Sequence, residues 1–404
     1  MHDVLIVGGG PAGLAFARSL AGTGLDIAII ERQSHAALAD PAPDGREIAL
    51  THRSVATLKQ LGAWSLIAPE EVAPLREAKV YNGRSRFALS FDPKGGSEAE
   101  LGYLVPNHYI RRALFTAVEE QPKLHFYTET AMRSVRTGRD HAQVMLTDGR
   151  TLRARLLVAA DSRFSAVRDQ LGIAAEINRL GKSMLVCRVE HPLDHHGIAT
   201  EWFGYDQTIA MLPLNGRMSS AVLTLPTAQI ERLMAADSGT LSEELTQRFE
   251  GRLGAMRVVG EPHAYPLATT WSHHFAAERA ALIGDAAVGM HPVTAHGFNL
   301  GLQSQAVLAG LIVRAAAHGR DIAAPMLLRR YEMRHRLASR PLYTATNMLV
   351  GLYTDHHPAA RLVRRRVLRA GAHLPFVRNT VSRMLMQPGR APRLSRPNPG
   401  RELS

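Results

Sequence analysis

The chain begins with an apolar run, an amphipathic stretch and a second apolar run. The runs "VLIV" and "DIAII" have the length and β-branched content of buried strands, and the second run ends at Glu31. Between them, Pro11–Ala21 places Leu14, Ala17 and Leu20 on one helical face. This order predicts a parallel β-α-β unit at the start of the chain.

Two later apolar runs predict further strands of the same parallel sheet. Leu156–Ala160 is apolar throughout, which is typical of a strand buried on both faces. The run "RAALI" has the same character and ends immediately before Gly284. The residues from Phe298 onward, "FNLGLQSQAVLAGLIVRAA", predict a long helix.

A different pattern, with alternating apolar and polar positions, surrounds two Asn-Gly pairs. Asn82-Gly83 and Asn215-Gly216 each lie between such runs, as expected for β-hairpins. The region 183–226 is strand-rich throughout. It therefore predicts an antiparallel sheet that is inserted into the parallel domain and can form one wall of a substrate cavity.

Together these patterns predict an α/β fold with a Rossmann-type domain, an inserted mixed or antiparallel sheet and a C-terminal helical segment. The Rossmann-type domain is predicted to be discontinuous in sequence. The predicted ranges are 1–75, 101–180 and 265–330 for this domain, 76–100 and 181–264 for the inserted sheet, and 331–404 for C-terminal helices and a basic tail.

Composition narrows the class of protein. The chain has 404 residues, of which 46% are hydrophobic, so it can bury a sizeable core. The single cysteine, Cys187, cannot form an internal disulfide, which suits a reducing compartment. The start of the chain lacks the basic segment of a signal peptide, and no run of about 18 apolar residues predicts a membrane span.

The net charge of +12 is concentrated at the C-terminal end. From Arg361 onward there are eleven arginines and one acidic residue, Glu402, so this segment carries +10. The arginines alternate with apolar residues in "AARLVRRRVLRAGAHLPFVRNTVSRMLM". This composition indicates contact with an anionic membrane surface, with oligomer packing as the alternative.

The turn after the first strand has the spacing of a dinucleotide-binding motif. Gly8 permits a tight turn, Gly10 lets the backbone approach a pyrophosphate, and Gly13 lets helix and strand pack closely. The N-terminus of the following helix offers unpaired N–H groups to phosphate. Glu31, at the end of the second strand, can accept hydrogen bonds from ribose hydroxyls, which favours FAD or NAD over NADP.

Two more acids follow predicted strands and are expected at the same crevice. Asp161 ends the strand Leu156–Ala160, with a helix N-cap as its structural alternative. Asp285 follows "RAALI" and can hold a chain of hydroxyls. Pro292 then fixes a bend, and Gly297 allows close backbone approach ahead of a helix whose positive end faces the ligand. No motif with metal-ligand spacing is present among the 19 histidines, so no metal site is predicted.

These segments occur in the order seen in class A flavoprotein monooxygenases. The stretch "GDAAVGMHPVTAHGFNLGLQS" is most similar to the ubiquinone-biosynthesis hydroxylases of the UbiH, UbiF and UbiM group, and within it to UbiM. The resemblance covers nearly the whole chain and implies that the Rossmann-type domain binds FAD. The flavin-side residues that it implies are Arg46, Arg111, Asp285, Pro292, Gly297 and Asn299.

The chain departs from the family pattern at several positions. Asp161-Ser162 replaces the family's Asp-Gly, a motif linked to the approach of NAD(P)H. His296 occupies the place of a family glutamine and is a candidate base for ionising the substrate phenol. The alternative for His296 is a loop histidine that hydrogen-bonds to the backbone.

The resemblance implies a complete reaction. NAD(P)H or another reductant reduces FAD, dioxygen gives a flavin C4a-hydroperoxide, and the aromatic ring of a polyprenylated phenol or quinol in ubiquinone biosynthesis is hydroxylated, with the demethoxyubiquinol step as one candidate. It also implies a cytoplasmic protein that is peripheral to the inner membrane and can belong to a ubiquinone-biosynthesis complex. Two alternatives are an FAD oxidoreductase that does not insert oxygen and a nucleic-acid-binding protein. The scarcity of aromatic residues in the basic segment argues against nucleic acid.

Overall fold

The described part of the chain is built from three β-sheets and the helices that cover them. The computed structural model describes residues 1–83, 88–93, 99–204, 207–292 and 296–354. The strands, numbered in chain order, are β1 (His2–Val7), β2 (Ile27–Ile30), β3 (Glu47–Leu50), β4 (Ala73–Leu75), β5 (Glu77–Asn82), β6 (Ala88–Phe91), β7 (Gly102–Pro106), β8 (Leu124–Tyr127), β9 (Met132–Thr137), β10 (Ala142–Leu146), β11 (Thr151–Ala159), β12 (Ala175–Glu190), β13 (Ile198–Phe203), β14 (Thr208–Pro213), β15 (Met218–Pro226), β16 (Arg257–Ser272), β17 (Ala276–Ala277), β18 (Ala280–Leu282) and β19 (Val288–Gly289).

Helices connect these strands and complete the layers. The α-helices are α1 (Pro11–Ser19), α2 (His35–Ala39), α3 (His52–Gln60), α4 (Asn107–Glu119), α5 (Ala166–Gln170), α6 (Thr227–Met234), α7 (Ser238–Arg248), α8 (Gly297–Ala317) and α9 (Pro325–Thr354). Short 3-10 turns are formed by Trp64–Leu66, Pro69–Glu71 and Gly284–Ala286.

The first sheet has the order β17-β18-β11-β1-β2-β8, and its five strands from β18 to β8 are parallel. Chain order reverses between β1 and β11, so the crevice at their carboxyl ends is the switch point at which such folds bind ligands. Helices α1 and α8 pack against each other and belong to the core beside this sheet. The strands β2 and β18 are fully buried, which explains their continuous apolar runs. The predicted α/β fold class is confirmed.

The second sheet has the order β19-β16-β12-β15-β14-β13-β5-β6 and is antiparallel except for the β13–β5 pair. The two predicted hairpin pairings, β5 with β6 and β14 with β15, are present. One face of the sheet packs against α6 and α7 in a second apolar core that contains Trp202, Ile209 and Leu223. The opposite face is therefore left for the cavity described below. A third sheet has the order β3-β7-β4.

Two of the predicted domain boundaries fall inside continuous strands. Strand β12 starts at Ala175 and β16 ends at Ser272, and the two pair along most of their length. Both strands therefore continue without a break through the predicted boundaries at 180 and 265. The division into two domains stays a prediction, with both parts sharing these strands.

Helix α8 explains the long apolar stretch near the C-terminal end. By length and composition its 21 residues could cross a membrane, with a mean hydropathy of 1.3, although no span was expected from the apolar runs. However, 67% of its most apolar window is buried inside the protein, which is typical of a core helix. Helix α9 follows, and the predicted basic segment after 354 lies outside the described residues.

A buried histidine on α9 predicts acid sensitivity. His335 is 1% exposed, stacks on Tyr331 and has no hydrogen-bond partner for either ring nitrogen among the described residues. Burial lowers the pKa of His335 to about 4. Between pH 6.5 and pH 4, the histidine is therefore protonated in the unfolded chain but not in the folded protein. The free energy of unfolding is at its full value above pH 6.5 and decreases as the pH falls towards 4.

We expect His335→Leu to reduce this loss by about 2.5 kcal/mol between pH 8 and pH 4.5. Urea unfolding at both pH values gives the free energy of unfolding of each variant, and the difference between the two pH values is compared. The exposed His318 supplies the matched control, His318→Leu, which should follow the wild type. Equal acid sensitivity of His335→Leu and the wild type would contradict the prediction.

Candidate cofactor site and substrate chamber

A cavity of about 840 Å³ lies between the first and second sheets. It begins at the carboxyl ends of β1, β2, β11 and β18 and extends over the free face of the second sheet. Most of the predicted site residues line it, and these are Gly8, Gly10, Glu31, Arg46, Arg111, Asp161, Asp285, Pro292 and Gly297. Segments from both ends of the chain thus meet at one place.

The three glycines of the turn differ in the space around them. Gly8 has φ +112°, and a Cβ there would lie 2.4 Å from the carbonyl oxygen of Ala160. A Cβ on Gly13 would lie 2.0 Å from the carbonyl oxygen of Gly8. Gly10 is the N-cap of α1 and lines the cavity, and a Cβ there would meet nothing within 4 Å. Gly8 and Gly13 therefore shape the turn, whereas Gly10 leaves space beside the helix N-terminus.

The carboxylate of Glu31 is fixed at the end of β2 by backbone groups. The N–H of Gly9 donates to Oε2 at 2.6 Å, and the N–H groups of Arg32 and Gln33 donate to Oε1 at 2.8 and 3.0 Å. Gln33 in turn accepts a 2.6 Å hydrogen bond from Nη2 of Arg111. Such an oriented acceptor suits the hydroxyls of an adenosine ribose.

Asp161 has a carboxylate oxygen that lacks a hydrogen-bond donor among the described residues. Its Oδ1 is buried and has no hydrogen-bond partner among the described residues, while Oδ2 accepts only a long 3.4 Å bond from the N–H of Val167. A buried carboxylate oxygen without a donor is costly. The hydroxyl-rich part of FAD provides such donors, so the residues at this position fit the cofactor.

Asp285 and Arg46 are each held by a charged neighbour. Asp285 Oδ2 accepts a 2.9 Å hydrogen bond from Nη2 of Arg163. Arg46 pairs with Asp44 at 2.5 Å and lies over the ring of Tyr265, 5.4 Å from its centroid. Burial acts to raise the pKa of Asp44, but the ion pair with Arg46 outweighs it and the pKa is lowered. Arg46 is thus positioned along the cavity by a carboxylate that stays ionised.

Three predicted site residues do not line the cavity. Gly13 lies beneath the turn, as described above. Asn299 donates to the carbonyl oxygen of Ala49 at 2.8 Å and accepts from the N–H of Thr51 at 3.1 Å, so its amide joins α8 to the β3–α3 connection. His296 is the N-cap of α8 and is 5% exposed. The roles assigned to Asn299 and His296 stay predictions.

The second sheet contributes cavity residues that sequence patterns alone do not identify. Glu201 lies within the run "IATEWF" of β13 and faces the cavity. In the sequence, Glu201 is recognisable only as an acidic residue within a strand of alternating polarity. That pattern does not show which face of the strand is buried. His291 also lines the cavity, and burial, followed by the charges of Lys182 and Arg163, lowers its pKa to about 4. His291 is therefore neutral at physiological pH.

One group of metal-ligand types lies away from the cavity. The ligand atoms of His2, Asp26 and His125 lie within 4.8 Å of one another. Asp26 pairs with both histidines, and His2 also contacts the hydroxyl of Tyr127 at 3.3 Å. Burial acts to raise the pKa of Asp26, but its contacts with His2 and His125 lower it. The three side chains are thus held together by contacts with one another.

The fold and this cavity define a Rossmann-type flavoprotein whose cofactor crevice opens onto an apolar chamber. A family model described as "FAD binding domain" matches residues 1–345, and the chain belongs to this family. Ubiquinone hydroxylase UbiM of Neisseria meningitidis is 45% identical to it over 95% of this chain and 84% of that protein. The 3-demethoxyubiquinol 3-hydroxylase of Escherichia coli is 28% identical over 91% of this chain and 94% of that protein.

Solved structures agree on the fold. The p-nitrophenol 4-monooxygenase PnpA of Pseudomonas putida has a TM-score of 0.77 and 17% identity, over 96% of this chain and 98% of that one. At this identity the likeness shows the fold alone. The sequence relatives and the family model confirm the predicted resemblance to the FAD-dependent ubiquinone hydroxylases and FAD as the cofactor.

Proposed function

We propose that this protein hydroxylates the aromatic ring of a polyprenylated quinol precursor in ubiquinone biosynthesis, using FAD, dioxygen and NAD(P)H or another reductant. The observation that carries the proposal is the shared cavity, with the glycine turn at one end and an apolar sheet face at the other. The named activities of the UbiM and Escherichia coli relatives support it. The second name makes the demethoxyubiquinol step a candidate.

The cofactor end of the cavity would hold FAD through a few groups. The N-terminus of α1 at Gly10 would take the pyrophosphate, and Glu31 would take the ribose. Asp161 and Asp285 would accept hydrogen bonds from the ribityl hydroxyls, and Arg46 would lie beside the flavin. When bound, the flavin supplies the activation of dioxygen with electrons from the reductant.

The second sheet would hold the substrate. The side chains of Met184, Val186, Phe203, Leu212 and Val222 line this part of the cavity and present carbon to a ligand. An apolar ring with a prenyl chain gains free energy by leaving water for such a surface. The same surface excludes water from the reacting atoms, which limits side reactions.

Isotope labelling tests the proposed function. We expect the FAD-loaded protein to consume NAD(P)H when given a short-chain prenylated quinol precursor, and to transfer one atom of ¹⁸O₂ to the ring, detected by mass spectrometry. Reduction or oxidation of the substrate without ¹⁸O in the product would instead support an FAD oxidoreductase that does not insert oxygen.

We also propose a cytoplasmic location, peripheral to the inner membrane. Support comes from the charge of +10 from Arg361 onward and from a substrate whose prenyl chain resides in the bilayer. We expect deletion of the residues after Arg361 to reduce binding to vesicles of phosphatidylglycerol and phosphatidylethanolamine, with FAD binding retained. Unchanged vesicle binding would favour contact with another subunit, such as a member of a ubiquinone-biosynthesis complex.

A further inference from the structure

The free face of the second sheet is apolar around one acid. Glu201 pairs with Ala210 on β14, Ala210 pairs with Val222 on β15, and Val222 pairs with Val186 on β12. All four side chains line the cavity. Because side chains alternate across a strand, this row points away from the apolar core around Trp202 and towards the cavity.

Among the described residues, every other acid of the cavity has at least one hydrogen-bond or ion-pair partner, although Asp161 has only the long 3.4 Å bond from Val167, whereas Glu201 has none. Glu31 is held by backbone N–H groups, Glu47 pairs with Arg188 at 2.9 Å, and Asp285 is bonded to Arg163. The carboxyl of Glu201 makes no hydrogen bond or ion pair with any described residue, and burial is the one influence on its pKa. On the described part of β13, β14 and β15, it is the one ionisable side chain that lines the cavity.

We propose that Glu201 is the catalytic base that ionises the substrate. Its carboxylate takes the proton of the phenolic hydroxyl, the O–H bond breaks, and the electron pair stays on the phenolate oxygen. The result is a neutral carboxyl and an electron-rich ring, which is the form that an electrophilic oxygen donor attacks. This inference rests on the proposed function.

The surroundings of Glu201 match it to this role. Burial raises its pKa to about 8, closer to that of a phenol than an ordinary carboxyl. Opposite Glu201, β5 presents Val80. Two other titratable groups of this sheet line the cavity, Lys182 on β12 and Tyr265 on β16, and the remaining ones come from outside these strands.

The other candidate bases are less suited. The hydroxyl of Tyr265 donates to the carbonyl oxygen of Asp44 at 2.6 Å and is occupied. His291, with a pKa of about 4, is too weak to hold a phenolic proton. His296 is buried and does not line the cavity.

The experiment compares Glu201→Gln with the wild type and with Glu190→Gln, an exposed acid of the same sheet. All are loaded with FAD and given NAD(P)H, dioxygen and a short-chain prenylated phenol from pH 6 to pH 10. For the wild type we expect the kcat of hydroxylation to rise with pH through about 8. Glu201→Gln should lose about 100-fold in kcat at pH 8.5 and lose this pH dependence, with FAD affinity unchanged.

Two further variants sharpen the result. Glu201→Asp should retain the pH dependence with an intermediate kcat, and Glu190→Gln should match the wild type. If His296→Gln abolishes the pH dependence and Glu201→Gln does not, the proposal is overturned in favour of His296. If Glu201→Gln keeps the wild-type profile, Glu201 is not the base. A wild type that forms no hydroxylated product contradicts the proposed function itself.

The pH dependence of Tm reports the titration of Glu201 in the absence of substrate turnover. A carboxyl whose pKa is raised on folding stabilises the protein below its unfolded pKa, and this stability is lost as the pH rises through the folded value. The Tm of wild-type protein should therefore fall relative to that of Glu201→Gln between pH 5 and pH 8.5. A constant Tm difference over this range would mean that the pKa of Glu201 is not raised on folding. A kcat that rises through pH 8 would then report another group, which overturns the proposal.

Discussion

Replacing Gly10 by valine is expected to lower the affinity for FAD at least about 100-fold, which corresponds to about 2.7 kcal/mol, while the fold stays intact. Gly10 has φ −75° and ψ 179°, which valine adopts readily, and a Cβ there meets no protein atom within 4 Å. The new side chain would instead occupy the cavity beside the N-terminus of α1. A pyrophosphate could then no longer reach the N–H groups of the helix.

Two other glycines provide the controls for this result. A Cβ on Gly13 would lie 2.0 Å from the carbonyl oxygen of Gly8, so Gly13→Ala should lower both Tm and FAD affinity. Gly138 has open space around it away from the cavity, and Gly138→Val should change neither. Tm without FAD and fluorescence titration with FAD measure the two effects. Wild-type FAD affinity in Gly10→Val would show that the pyrophosphate lies elsewhere.

The second large effect is expected from filling the substrate chamber. Ala210 lies between Glu201 and Val222 in the row that faces the cavity. A phenylalanine there would occupy the space of the aromatic ring of the substrate. We expect Ala210→Phe to lower kcat/KM for a prenylated phenol at least about 100-fold, because a ligand cannot overlap a side chain held on a packed sheet.

FAD binding separates this effect from damage to the fold. Ala210→Phe should bind FAD with wild-type affinity and show the flavin absorbance of the wild type. The exposed Ala235, at the end of α6, gives the control Ala235→Phe, which should leave kcat/KM unchanged. If Ala210→Phe retains wild-type kcat/KM, the substrate does not lie on this sheet face.

Sequence patterns predict much of the cofactor end because its signals are local. The strand, the glycine turn and the helix lie within about 30 residues, and Glu31 lies at the end of the next strand. The apolar runs that end at Asp161 and before Gly284 identify two further strands of the parallel sheet. Their acids reach the same crevice because parallel strands share a carboxyl edge.

Sequence patterns predict fewer of the contacts between side chains whose partners are distant in the chain. Asn299 belongs to a family motif. Its side-chain amide nevertheless forms hydrogen bonds with Ala49 and Thr51, about 250 residues away. Arg163, which holds Asp285, is 122 residues from it. No local pattern encodes these pairs, since each depends on how sheets and helices pack.

The sequence by itself determined the β-α-β unit, the steric need for Gly8 and Gly13, and the fold class. Backbone geometry and residue size impose these features over short distances. Only the tertiary structure decided that Glu201 faces the cavity that we propose holds the substrate. Side chains alternate with a period of two, so a shift of one residue in the register of β13 would turn Glu201 away from the chamber.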